Sequence, residues 1–188
     1  MTFRMNLSAP LWHTRLPATL RPSEKLAGLL QSPSLTAALR ALPCEFSVRL
    51  LHLGLADGSL LLDGGGPGKS YFCRDVELCL NGEPVVWARS QCLPSSDYWR
   101  QMLDCGSRPL GERLFAESAD WQRSPLEFAA LEGILLPSVQ NAQLARRSFF
   151  QRQNETLGLA ECFLPALAGY LYEAARDKYP HFGAINQS

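Results

Sequence analysis

The sequence predicts an α+β domain, a single antiparallel β-sheet of about six strands with flanking helices that enclose an internal ligand site. Three observations carry the sheet and its helices. Segments with period-two alternation fill the middle of the chain. The links between them read as hairpins rather than helical crossovers. Helix-compatible segments gather at both ends and around residue 112. The 188 residues contain no repeat, low-complexity tract or interdomain linker, so one domain over residues 1–188 is expected. A chain of this length buries roughly 70% of its unfolded surface, enough for a substantial core.

Each element has a local cause. Pro22-Ser23 opens a short amphipathic helix through Gln31, and Ser34 can cap a second helix running to about Leu42. After Pro43 the period changes to two, with Phe46, Val48, Leu50 and His52 on one side of a strand. A Gly-rich loop, Asp63 to Ser70, follows and reads as a flexible surface loop or lid. Tyr71 to Leu80 and Glu83 to Leu93 then form a hairpin. Asn81-Gly82 is the signature of a two-residue type I′ turn, in which both residues need φ > 0. That turn sets Leu80 opposite Glu83, Leu78 opposite Val85, Val76 opposite Trp87 and Arg74 opposite Arg89. Pro109 suits the first turn of a helix over Leu110 to Phe115. Further strands are expected at Leu126 to Leu131, Leu144 to Arg152 and Leu157 to Leu164, the last two joined near Asn154. Ala166 to Tyr179 is helix-compatible, within a C-terminal helical extension over 166–188.

Composition narrows the function. Eighteen basic residues balance eighteen acidic ones, so no overall field gathers nucleic acid or anionic lipid. No apolar run approaches the ~18 residues of a membrane span, and the first ten residues lack a signal-peptide core. A cytoplasmic protein with six reduced thiols is expected. The six cysteines form no Cys-x-x-Cys pair and have no histidine at ligand spacing, so no metal site is expected.

The loop Asp63-Gly-Gly-Gly-Pro-Gly-Lys69-Ser70 invites a phosphate-binding reading and fails it. Asp63 stands where the first glycine of that motif belongs, and a strand rather than a helix follows. Arg74 is more informative. Alternation puts it on one face with Phe72, Val76, Leu78 and Leu80, and a guanidinium among apolar residues needs a partner. That partner is either an internal carboxylate or the carboxylate of a ligand, gripped in bidentate fashion. Glu161 poses the same choice, sharing a face with Leu157, Leu159 and Phe163. It either pairs with an arginine such as Arg74 or Arg89, or serves a site by hydrogen-bonding a hydroxyl or moving a proton. Arg89 beside Arg74 would bring two like charges to one anionic partner, or else lies at a sheet margin in water. Arg146 and Arg147 point to opposite sides of their strand, so at most one faces a cavity. His52 reads as a hydrogen-bonded core histidine.

Four segments, in this order and spacing, resemble the chorismate lyase family over about residues 20–170. They are Arg74-Asp75-Val76-Glu77-Leu78-Cys79 with Gly82-Glu83-Pro84 and Ala88-Arg89-Ser90; Pro109 through Phe115; Ala145-Arg146-Arg147-Ser148; and Glu161-Cys162-Phe163-Leu164-Pro165. The resemblance implies a cofactor-free carbon–oxygen lyase that converts chorismate to 4-hydroxybenzoate and pyruvate for ubiquinone biosynthesis. By that resemblance Arg74 binds the ring carboxylate, backbone N–H groups of Leu110 and Leu35 assist it, and Glu161 lies near the 4-hydroxyl. Arg89, Arg146 or Arg147 would meet the second carboxylate. No protein partner and no nucleic acid is implied. The alternatives are a related lyase making another aromatic acid and a non-catalytic effector-binding domain of a transcription regulator. Some forty residues ahead of the first strand leave little room for the DNA-binding module such regulators carry.

Overall fold

The computed structural model describes residues 9–17, 22–116, 120–131 and 142–176. In chain order the elements are α1 (Glu24–Gln31), α2 (Leu35–Arg40), β1 (Phe46–Asp57), β2 (Ser70–Leu80), β3 (Glu83–Cys92), α3 (Asp97–Leu103) and α4 (Leu110–Ala116). They continue with β4 (Gln122–Arg123), β5 (Glu127–Ala130), β6 (Leu144–Arg152), β7 (Glu155–Phe163) and α5 (Leu167–Arg176). The expected α+β class is present, as a seven-stranded antiparallel sheet in the order β1-β2-β3-β7-β6-β4, with β5 also pairing with β6. β4 and β5 are short strands that share the far edge of β6, which accounts for the strand beyond the expected six. Residues 177–188 of the expected C-terminal extension lie outside the described residues.

Local signals act where the sequence places them. Ser23 Oγ accepts from the Leu26 N–H and Ser34 Oγ from the Ala37 N–H, so α1 and α2 both begin on a serine cap. Asn81 (φ 48°) and Gly82 (φ 80°) supply the two positive φ angles of the β2–β3 turn.

The register departs from expectation after the first two pairs past that turn. Leu80 faces Glu83 and Cys79 faces Pro84, but Leu78 then faces Val86, leaving Val85 as an extra residue in β3. Proline has no N–H to give the ladder, and a bulge beside it absorbs the missing bond. Beyond the bulge Arg74 faces Ser90, and Asp75 faces Arg89. A one-residue slip moves every following side chain to the other face, so Arg89 leaves the side of Arg74. A second irregularity between Leu50 and His52 sets His52 opposite Asp75, away from the face expected for it.

One face of the sheet carries the helices. Leu29 and Leu30 of α1, Leu35 and Leu39 of α2 and Leu167 and Leu171 of α5 bury against Val76, Leu78, Val86 and Phe163. Trp99, Met102 and Leu103 of α3 and Leu110 and Leu114 of α4 bury against Phe150 and Leu157. The other face is covered by the Gly-rich loop and the N-terminal segment. Leu61 and Leu62 are buried with Trp87, Ala145, Ala160 and Cys162, and Trp12 packs on the same cluster. Asp63 holds Arg147 at 2.7 Å, and a turn links Gly66 N–H to Gly58 O. The loop lies on the back of the sheet with Asp63, Gly64 and Pro67 to Ser70 exposed, as a surface loop, and none of it lines the cleft under the helices, so the lid alternative does not apply to that cleft. All six cysteines are free thiols, and four are buried.

Candidate active site

The helix-covered face of the sheet carries two adjacent rows of side chains. The first runs Arg74 (β2), Ser90 (β3), Leu159 (β7) and Ser148 (β6); the second runs Val76, Ala88, Glu161 and Arg146. Ala88 and Ser90 are small, so the middle of this floor is low while charged side chains stand around it. α2 and α4 close over it. Gly111 at the start of α4 faces Ser34 and Thr36 of the α2 start, where a Cβ would make an ordinary van der Waals contact 3.5 Å from Thr36 Oγ1. The resulting cleft has a volume of about 50 Å³ and is lined by Arg74, Glu161, Leu35, Leu110, Arg123 and Arg146, among others. A cleft this narrow holds a few waters, so a ring-sized ligand requires its walls to move apart. A larger cleft of about 270 Å³ lies beside α5, but among the described residues no ionisable side chain lines it.

Arg74 is 2% exposed, and its Nη2 donates to the carbonyls of Gly106 (2.8 Å) and Arg108 (3.0 Å). Its Nε has no hydrogen-bond partner among the described residues. Burial pulls its pKa below the ordinary guanidinium value, yet arginine keeps its charge in proteins. A buried cation bonded through neutral carbonyls is incompletely compensated, and an anion entering the cleft would complete it. The turn through Gly106, at φ 57°, aims both carbonyls at the guanidinium and leads directly into α4.

Glu161 pairs with neither Arg74 nor Arg89. Its Oε2 accepts from Arg146 Nε at 2.5 Å, and Arg146 Nη1 donates to the Leu30 and Ser32 carbonyls at 2.8 Å each. Arg146 is 1% exposed, so this ion pair ties the link between α1 and α2 to the sheet while placing a carboxylate in the cleft wall. Leu35 and Leu110 bring the first turns of α2 and α4 to the same cleft.

The arginines expected to meet a second carboxylate separate. Arg146 lines the cleft. Arg147 points to the back of the sheet, held by Glu127 and Asp63 at 2.7 Å each and lying 4.4 Å from the Trp12 ring centroid. Arg89 is on the back as well, in a two-pronged pair with Asp75 at 2.6 Å on both arms, and that hydrogen bonding raises its pKa. The bulge at Val85 is the reason, and neither residue reaches the cleft. Sequence reasoning also missed Arg123. β4 is a two-residue strand, too short for any periodicity, and its arginine reaches inward to Ser148 Oγ (3.1 Å) and the Pro33 carbonyl (2.6 Å). Among the described residues no helix is long and apolar enough to cross a membrane, and no cluster of His, Cys, Asp or Glu could hold a metal ion.

Comparisons with known proteins agree with the family resemblance of the sequence. The family model described as chorismate lyase matches residues 11–175. The chain is 37% identical over 171 residues to a probable chorismate pyruvate-lyase of Aromatoleum aromaticum, an alignment covering 81% of this chain and 88% of the relative. It is 38% identical over 159 residues to a probable chorismate pyruvate-lyase of Pseudomonas putida, covering 80% and 83%. Among solved structures, the effector domain of PhnF from Mycobacterium smegmatis aligns with 71% of this chain and 89% of its own, at 14% identity and a TM-score of 0.42. With the family model matching residues 11–175 and these relatives covered to 83–88% of their length, the chain belongs to the chorismate lyase family.

Proposed function

We propose that this protein is a chorismate pyruvate-lyase acting in the cytoplasm, where it releases 4-hydroxybenzoate and pyruvate from chorismate for ubiquinone biosynthesis. The observation that carries the reading is that Arg74 and Glu161 line one cleft without satisfying each other. A structural salt bridge between the two would have left no place for a ligand.

Chorismate supplies most of the driving force, because the ring becomes aromatic. The C3–O bond breaks with its electron pair leaving on the enolpyruvyl oxygen, and C4 loses its proton. The departing enolate takes up a proton at its methylene carbon and becomes pyruvate, so no oxidant, metal or organic cofactor is required. The protein's task is to hold the reactive conformer and stabilise charge as the C–O bond stretches. Arg74, which lines the cleft and has an unpartnered Nε among the described residues, binds the ring carboxylate, with the Leu110 and Leu35 N–H groups adding to it. Glu161, hydrogen-bonded to Arg146, orients the 4-hydroxyl and assists the proton leaving C4. A site complementary to an aromatic acid also retains its product, so 4-hydroxybenzoate inhibits and its release limits turnover.

Kinetics of Arg74→Ala test this assignment. Loss of a charge-assisted contact worth about 1.5–3 kcal/mol lowers kcat/KM for chorismate and weakens 4-hydroxybenzoate binding by about tenfold to hundredfold each. Full activity in that variant would place the site elsewhere. Turnover should also survive exhaustive chelation, and its loss would overturn the cofactor-free reaction.

A further inference from the structure

A carboxylate accepts hydrogen bonds at about four positions on its two oxygens, and a guanidinium grips both oxygens only through a fork of two parallel N–H groups. Either fork of an arginine uses Nη2, paired with Nε along the side or with Nη1 at the end. In Arg74 that nitrogen is already engaged. It carries two hydrogens and donates to two carbonyls, of Gly106 at 2.8 Å and of Arg108 at 3.0 Å. The buried Nε is left without a partner among the described residues. Arg74 therefore offers the cleft no complete fork, unlike Arg89, whose Nε and Nη2 grip the two oxygens of Asp75.

A carboxylate held by Arg74 Nε through one oxygen needs another side-chain donor for the second, and the strand register supplies one. Ser90 of β3 stands directly opposite Arg74 of β2, on the same covered face of the sheet. Facing side chains in such a pair have Cβ atoms about 5 Å apart, close enough for one carboxylate to accept from both. Ser90 is buried and lines the same cleft. Its neighbour on the other side of the row is Leu159, whose side chain has no polar atom. The carbonyls that engage Arg74 belong to the turn just ahead of Leu110, so the guanidinium is anchored where α4 begins and Ser90 stands beneath it on the sheet. A hydroxyl rotates its hydrogen to suit an acceptor, and one donated to a carboxylate is charge-assisted.

We infer that Ser90 is a second binding residue for the ring carboxylate, its hydroxyl donating to one oxygen while Arg74 Nε donates to the other. This rests on the chorismate lyase reading of the site and adds a residue to which that reading gave no role. Substrate and product both carry the ring carboxylate, so Ser90 holds them alike. It sets affinity for the aromatic acid rather than the rate at which the C–O bond breaks.

Binding and kinetics of Ser90→Ala test the inference with two ligands that share the ring and its hydroxyl, 4-hydroxybenzoate and the uncharged 4-methylphenol. The dissociation constant of 4-hydroxybenzoate and KM for chorismate should each rise by about tenfold to hundredfold, the worth of one hydrogen bond to a charged group. The dissociation constant of 4-methylphenol should stay within a factor of about three, and kcat should not fall. An equal loss for both ligands, including loss of both, overturns the inference, because Ser90 would then shape the cleft rather than serve the carboxylate. Unchanged 4-hydroxybenzoate binding and KM overturn it as well. Failure of the wild type to make 4-hydroxybenzoate from chorismate is a different result, and it removes the lyase reading itself.

Discussion

Replacing Arg146 with methionine separates the structural part of the Glu161 environment from its chemical part. The guanidinium supplies one bond to Glu161 at 2.5 Å and two to the carbonyls of Leu30 and Ser32 at 2.8 Å. Arg146→Met leaves Glu161, itself 6% exposed, as a buried charge without its partner. Breaking one side of such a pair costs about 3–5 kcal/mol. In a domain of this size each kcal/mol moves the melting midpoint by about 2–4 °C, so a fall of roughly 6–20 °C is expected. Removing both charges in Arg146→Met with Glu161→Leu leaves an apolar pair of similar bulk, which is often close to neutral. The double variant should therefore recover much of the midpoint, short of what the two orphaned carbonyls cost. Its turnover of chorismate should not recover, because the carboxylate at the ring hydroxyl is gone. Thermal denaturation followed by circular dichroism gives the first quantity, and 4-hydroxybenzoate release gives the second. A single variant melting within about 2 °C of wild type would refute the buried pair as a stabilising element. A double variant with wild-type turnover would refute the role of Glu161 in the reaction.

The back of the sheet offers further tests. A Cβ on Gly65 would collide with the backbone of Ser59, so Gly65→Ala must open the loop that buries Leu61 and Leu62. Exposing those side chains costs about 1.5–3 kcal/mol each; the melting midpoint should fall while KM for chorismate stays unchanged, since the loop is remote from the cleft. Burial pushes the thiol of Cys73 up to about 11 and those of Cys92 and Cys162 up to about 12. In native protein at pH 8 these three thiols should therefore react slowly with a thiol reagent, and rapidly once the chain is unfolded, whereas the half-buried Cys44 and Cys105 are not so protected. Because these folded values are raised, their contribution to stability is complete below about pH 9 and is lost as pH climbs through 11 to 12. Urea midpoints measured from pH 8 upward should fall along that course, and a midpoint rising over the same interval would contradict it.

The parts of the fold legible in the sequence were those fixed by local chemistry. Serine caps located α1 and α2, Asn81-Gly82 located the β2–β3 turn, and alternation placed Arg74 and Glu161 on the covered face. What alternation could not reach was long-range. The bulge at Val85 depends on how Pro84 meets the ladder of β2, and that single residue decides that Arg89 pairs with Asp75 on the back. Strand β4 exists because two residues lie against β6, a contact without a local signature, and Arg123 was invisible for that reason. The partner of Glu161 came from the register between β6 and β7, which sets Arg146 opposite it. Helix α3 went unread although Trp99, Met102 and Leu103 recur at helical spacing after Ser96-Asp97. The lid alternative for the Gly-rich loop failed because its glycines suggested freedom, whereas Leu61 and Leu62 just before them anchor it.

The central claim is that this cleft eliminates pyruvate from chorismate, and incubation of the purified protein with chorismate tests it most directly. With 4-hydroxybenzoate and pyruvate quantified together, the account predicts their appearance in equal amounts, with the rate declining as added 4-hydroxybenzoate rises. Consumption of no chorismate, or its conversion to any other aromatic acid, would contradict the account.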